Sequence, residues 1–112
     1  MSAEIFDISI LQHDGLSVVR MSGELDLASS DQLGALLSEL SDQTVVVDLA
    51  ELTFIDSSGI AALVAAKDRL QSTGRDLVLT RPQRNVDRVL EMTGLEEWIS
   101  QWRPEWSPPT GG

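Results

Sequence analysis

The run Thr44-Val45-Val46-Val47-Asp48-Leu49 constrains this chain more than any other stretch. It is β-branched and almost unbroken by polar residues. That is the pattern of a strand covered on both faces, and it needs neighbouring strands on either side. The flanks supply candidates. Phe6, Ile8 and Ile10 alternate within residues 4–11, as in a half-buried strand. His13-Asp14-Gly15 is a turn signal, and Leu16–Met21 reads as a second strand, so the start is a β-hairpin. Leu77-Val78-Leu79 is a further short strand.

Helical periodicity fills the gaps between strands. Gly23-Glu24-Leu25-Asp26 is expected to break the second strand, and Ser29 and Gln32 have capping-box spacing ahead of Leu33, Leu36, Leu37 and Leu40. A second helix over about 57–72 presents Ile60, Leu63, Val64 and Leu70 and stops at Thr73-Gly74. Pro82 opens a third, over about 83–92, carrying Val86, Val89, Leu90 and Met92 and ending at Gly94. Leu95–Ile99 is a weak apolar segment read as a possible last strand. The order β-β-α-β-α-β-α-(β) predicts an α/β sandwich: a mixed sheet of four or five strands with right-handed crossovers and helices mainly on one face.

Composition removes several classes of function. With 18 acidic against 8 basic residues the net charge is −10, so a nucleic acid or an anionic membrane surface would repel the chain. A basic protein partner would be attracted. There is no cysteine and one histidine, His13, which excludes zinc–thiolate and multi-imidazole metal sites. No apolar run approaches the roughly 20 residues of a membrane span, and the first residues do not read as a signal peptide. The expectation is one intracellular domain.

The stretch of chemical interest is Asp56-Ser57-Ser58-Gly59, at a strand-to-helix junction. Asp and Ser are favoured helix N-caps. A hydroxyl at an exposed helix start is equally a candidate phosphorylation site, because a phosphate there meets the positive end of the macrodipole. The two readings are compatible. Catalysis by Ser57 lacks support: GxSxG and a P-loop are absent, and no acid can be paired with His13 from sequence. No catalytic residue and no metal site is expected.

The run VVVDLAELTFIDSSGIAALVAAKDRL, with GELD upstream, closely resembles the STAS domain of bacterial anti-sigma factor antagonists. The resemblance covers about residues 4–100 and is most specific from Asp48 to Gly59. It implies a partner-switching regulator that is not an enzyme. The unphosphorylated form would bind an anti-sigma factor, itself a serine kinase of the histidine-kinase-like ATPase fold, and so release a sigma factor. Phosphorylation of the serine after the DSSG aspartate would end binding, and a serine phosphatase would restore it. The acceptor is then Ser57, with Ser58 as fallback. Glu24, Asp26, Asp56, Ser58, Gly59 and Ile60 would form the partner-binding surface, with Asp26 and Asp56 beside the acceptor. ATP and Mg²⁺ would belong to the kinase, leaving this chain without a cofactor, and the setting would be cytoplasmic, as in a stress response. The alternative within the family is a STAS scaffold that is never phosphorylated, or a subunit of a sensory or lipid-transport complex. A small hydrolase using Ser57 is the alternative outside it.

The resemblance weakens at the end of the chain. Residues 1–103 read as the STAS domain and 104–112 as a Pro/Gly-rich tail, expected to be mobile or draped on the surface. Family members usually finish with a helix, which Pro104, Pro108 and Pro109 prevent here. Trp98, Trp102 and Trp106 either cover a sheet edge or form a partner-binding patch.

Overall fold

The structure, a computed structural model, describes residues 6–99. Strand β1 (Asp7–His13) and strand β2 (Leu16–Leu25) form the antiparallel hairpin. Its turn residues Asp14 and Gly15 have φ of 49° and 79°, the left-handed pair that a two-residue hairpin loop needs. Helix α1 (Leu27–Glu39), strand β3 (Thr44–Ile55), helix α2 (Ser57–Ser72) and strand β4 (Asp76–Thr80) follow as two parallel crossovers. Helix α3 (Arg84–Thr93) and a 3-10 turn (Leu95–Trp98) close the described chain. The sheet order is β1-β2-β3-β4.

One core holds the layers together. Val19, Met21, Val45, Val47, Leu49, Leu77 and Leu79 share a buried cluster with Leu33 and Leu37 of α1, Leu63, Ala66 and Leu70 of α2, and Val86 and Leu90 of α3. The strand members are alternate residues, so the three helices pack on one face of the sheet. On the other face Asp48 is buried. Burial alone would raise its pKa, but bonds from Arg81, the Ala50 N–H and Arg20 outweigh it and hold the carboxyl below its ordinary range.

Four sequence expectations need correction. Glycine and acid at 23–26 do not break β2, which pairs with β3 as far as Leu25↔Ile55. Gly23 adopts φ 93°, so a break in regular pairing there costs little. Helix α1 begins earlier than Ser29, because Asp26 is the cap and Ser29 its partner. Strand β3 extends through Ile55 rather than ending near Leu49. Leu95–Trp98 is a 3-10 turn, and only Ile99 makes a single bridge, to Leu79. Trp98 packs against the core with the Lys67 ammonium 5.1 Å from its ring centroid. Trp102, Trp106 and the tail at 104–112 lie outside the described residues.

Two bulges in β3 set up everything that follows. Between Arg20↔Asp48 and Ser22↔Glu51, and again between Gly23↔Leu52 and Glu24↔Phe54, β3 carries one more residue than β2. Each extra residue reverses which face the next side chain takes. Leu49, Leu52 and Ile55 therefore all point into the core although they recur at steps of three. Phe54 is turned outward and is 44% exposed.

Candidate functional site

Leu25 and Ile55 are register partners on adjacent parallel strands, and each is followed at once by an aspartate and a helix. Asp26 and Asp56 thus stand side by side at one end of the sheet. The Asp56 N–H donates to the Leu25 carbonyl at 3.2 Å, joining the two junctions directly.

Asp56 is the N-cap of α2. Its Oδ1 accepts from the N–H of Ser58 at 2.9 Å and of Gly59 at 3.2 Å. The cap position is therefore taken by the acid, and neither serine hydroxyl is needed for it. Ser57, the first helical residue, is exposed, and its hydroxyl has no hydrogen-bond partner among the described residues. Ser58 is half-buried and lines a shallow cleft between α1 and α2 with Leu27, Ser30, Asp31 and Ala62. Gly59 is buried. A Cβ there would lie 2.8 Å from Ile55 Cγ1 and 2.9 Å from Leu25 Cδ2, so α2 can start this close to both strands only at a glycine.

Asp26 caps α1 by a reciprocal box. Its Oδ1 accepts from the Ser29 N–H at 3.1 Å, and its own N–H donates to Ser29 Oγ at 2.8 Å. The Ser29 N–H and hydroxyl lower the Asp26 pKa, so this carboxylate is held ionised. Glu24 is half-buried, and its carbonyl accepts the Ser29 hydroxyl at 2.8 Å. Ile60 is half-buried and packs on the core.

The structure thus gathers Glu24, Asp26, Asp56, Ser57, Ser58, Gly59 and Ile60 at one end of the fold. Two exposed apolar side chains there were not singled out from sequence: Leu27, 70% exposed, directly after Asp26, and Phe54. Leu27 is legible only once Asp26 is known to be the cap. Phe54 is legible only once the bulge is known. Sequence reading likewise gave Ser29 the wrong part in the cap.

His13 ends β1 at the opposite edge of the fold, paired with Leu16 where β2 begins. Leu16 and Leu25 bound a ten-residue strand, so His13 and Ser57 are separated by roughly 30 Å at about 3.3 Å per residue. His13 also lies beside Asp14, at 3.2 Å. It cannot serve Ser57 as a base. No group of three or more His, Cys, Asp or Glu able to hold a metal occurs among the described residues. No helix among them is long and apolar enough to cross a membrane.

Residues 7–107 match the family described as STAS domain. An anti-sigma F factor antagonist of Paenibacillus polymyxa is 30% identical over 92 residues, 79% of this chain and 79% of that protein. An anti-sigma-B factor antagonist of Staphylococcus epidermidis is 26% identical over 94 residues, 81% of this chain and 87% of its own length. Among solved structures, the anti-sigma factor antagonist SpoIIAA in its unphosphorylated form superposes with a TM-score of 0.75 at 24% identity, covering 90% of both chains. Its phosphorylated form gives 0.71 over 90% of this chain and 94% of that one.

Proposed function

This chain belongs to the STAS domain family, and we propose that within it the protein works as an anti-sigma factor antagonist switched by phosphorylation of Ser57. The unphosphorylated form binds an anti-sigma factor in the cytoplasm and frees its sigma factor. That partner is a serine kinase of the histidine-kinase-like ATPase fold and brings the ATP and Mg²⁺. A serine phosphatase resets the switch, and this chain contributes binding rather than catalysis.

The observation that carries this reading is the division of labour at the α2 start. Asp56 does the capping, Ser58 faces α1, and Ser57 is left exposed with an uncommitted hydroxyl. A phosphate on Ser57 would meet the positive end of α2 but also the carboxylates of Asp56 and Asp26. The fold therefore tolerates it, while a docked partner surface that had accepted a neutral hydroxyl does not. Glu24, Asp26 and Asp56, with Ser58, Ile60, Leu27 and Phe54 around them, give the contact surface an acidic centre and apolar margins, while buried Gly59, expected in that surface from the sequence, sets how closely α2 approaches the strands.

The test is incubation of the folded chain with ATP and the anti-sigma factor it captures from its own cells, followed by mass mapping. Phosphate is expected on Ser57, and Ser57→Ala should stay folded, bind the partner and resist modification. Phosphate confined to Ser58 would move the acceptor by one residue. No phosphate at all, with the partner still bound, would favour the unphosphorylated scaffold.

A further inference from the structure

Ser29 is buried, 3% exposed, and its hydroxyl serves only two residues, Glu24 near the end of β2 and Asp26, the cap of α1. It accepts from the Asp26 N–H at 2.8 Å, donates to the Glu24 carbonyl at 2.8 Å and lies 3.0 Å from Asp26 Oδ1. Between Glu24 and Asp26 sits Leu25, and the Leu25 carbonyl is the acceptor of the Asp56 N–H. The Leu25 side chain is also what Gly59 packs against. Hydrogen bonds and the backbone between Glu24 and Asp26 thus link Ser29, through the end of β2, to the residue that caps the Ser57 helix.

We infer that Ser29 is a positioning residue for phosphorylation of Ser57: it fixes the Glu24–Asp26 end of β2, which holds both the Asp26 carboxylate and the Asp56 cap in register with the acceptor hydroxyl. This rests on the phospho-switch reading above. Ser29 touches neither ATP nor the transferred group. In the transfer the bond from Ser57 Oγ to the γ-phosphorus forms, ADP departs and the hydroxyl proton is released. Ser29 determines only where the hydroxyl stands when that happens, and small displacements of a reacting group are costly in rate.

Ser30 provides the control. It is 7% exposed, and its hydroxyl also bonds this helix start, donating to the Asp26 carbonyl, but it touches neither the carboxylate nor Glu24. The experiment compares Ser29→Ala, Ser29→Thr and Ser30→Ala in the full chain. Amide hydrogen exchange of Asp56 and Gly59 is read in the free protein. The rate of Ser57 phosphorylation is read with ATP and the captured anti-sigma factor, alongside melting temperatures. Ser29→Ala should speed exchange at Asp56 and lower kcat for phosphorylation by about tenfold, with KM nearly unchanged and the hydroxyl of Ser29→Thr restoring part of both. Ser30→Ala should lose comparable melting temperature and leave both readouts alone. Equal effects of Ser29→Ala and Ser30→Ala, or altered exchange with an unaltered phosphorylation rate, would overturn the positioning role. A wild-type chain that is bound but never phosphorylated would instead overturn the reading of the site, and the positioning role with it.

Discussion

The two strand-to-helix junctions of this molecule are built to one plan and finished differently. Both run from a buried aliphatic residue to an aspartate cap and then a helix: Leu25-Asp26-Leu27-Ala28-Ser29 and Ile55-Asp56-Ser57-Ser58-Gly59. At the first, the third residue after the aspartate returns a hydroxyl to the backbone and closes the cap. At the second, that place is a glycine pressed on both strands, and hydroxyls occupy the two positions before it. The first junction uses its serine internally. The second displays one. What separates a hydroxyl spent on a cap from one left exposed is therefore which position after the aspartate carries it.

The largest expected effect breaks the symmetry outright. Phosphate on Ser57 adds about −1.5 to −2 charges next to two carboxylates. Calorimetric titration of the partner should show binding weakened by about 2–4 kcal/mol, roughly 30- to 1,000-fold. The melting temperature of the isolated domain should barely move, since Ser57 is exposed to water and the helix dipole stabilises a negative charge there by about 0.3–1 kcal/mol. A phosphoform that melts far lower, or binds equally well, would show that the switch does not act at the contact surface.

Making the second junction copy the first comes next in size. Gly59→Ser places a Cβ inside contact distance of Ile55 and Leu25 and should cost about 1–3 kcal/mol by overpacking. Denaturant midpoints measure it. A neutral result would mean that α2 can shift outward without loss, and the close approach would then carry no weight in the comparison.

Removing the cap itself is smaller. Asp56→Ala leaves the N–H groups of Ser58 and Gly59 without their acceptor and should cost about 1 kcal/mol. The sharper measurement is mass mapping of this variant. With the cap vacant, Ser57 Oγ becomes free to take up the capping role, so phosphorylation should slow more than stability falls.

The smallest effect is an acid one. Because the folded-state pKa of Asp26 lies below its ordinary value of 3.8, its contribution is complete above that value and disappears as pH falls through the folded one. Asp26→Asn keeps a capping oxygen but not the charge. Its melting temperature should fall below wild type at pH 7, and the gap should narrow as pH falls below 3.8. A constant difference across that range would show that Ser29 interacts with both forms of Asp26 alike.

Much of this architecture is legible in the sequence for a local reason. The alternation at Phe6, Ile8 and Ile10, the valine run, and the helical spacing of Ile60, Leu63 and Leu70 are each decided by neighbours a few residues away. The errors occur where distant residues decide. Gly23 looks like a strand breaker until β3 is placed beside it, pairing past the irregularity. Ser29 and Gln32 mimic a capping box because Ser29 does belong to one, as the third residue and not the first. Leu49, Leu52 and Ile55 have a helix-like spacing that two bulges convert into one face of a strand. The pairing of Asp48 with Arg20 and Arg81 has no local signature at all. In the site, the DSSG stretch and GELD are visible as patterns. The Asp56 N–H to Leu25 carbonyl bond that makes them one object is not.

That bond has a consequence for what can serve as a substrate. Ser57, the proposed acceptor, is framed by two segments far apart in the chain and adjacent only after β2 and β3 have paired. A peptide containing TFIDSSGIAALVAAK holds the hydroxyl without its frame, and so does an unfolded or truncated chain. On the proposed phospho-switch, modification at Ser57 would then work as a certificate of folding: misfolded copies would enter neither side of the switch and would not dilute the signal it carries.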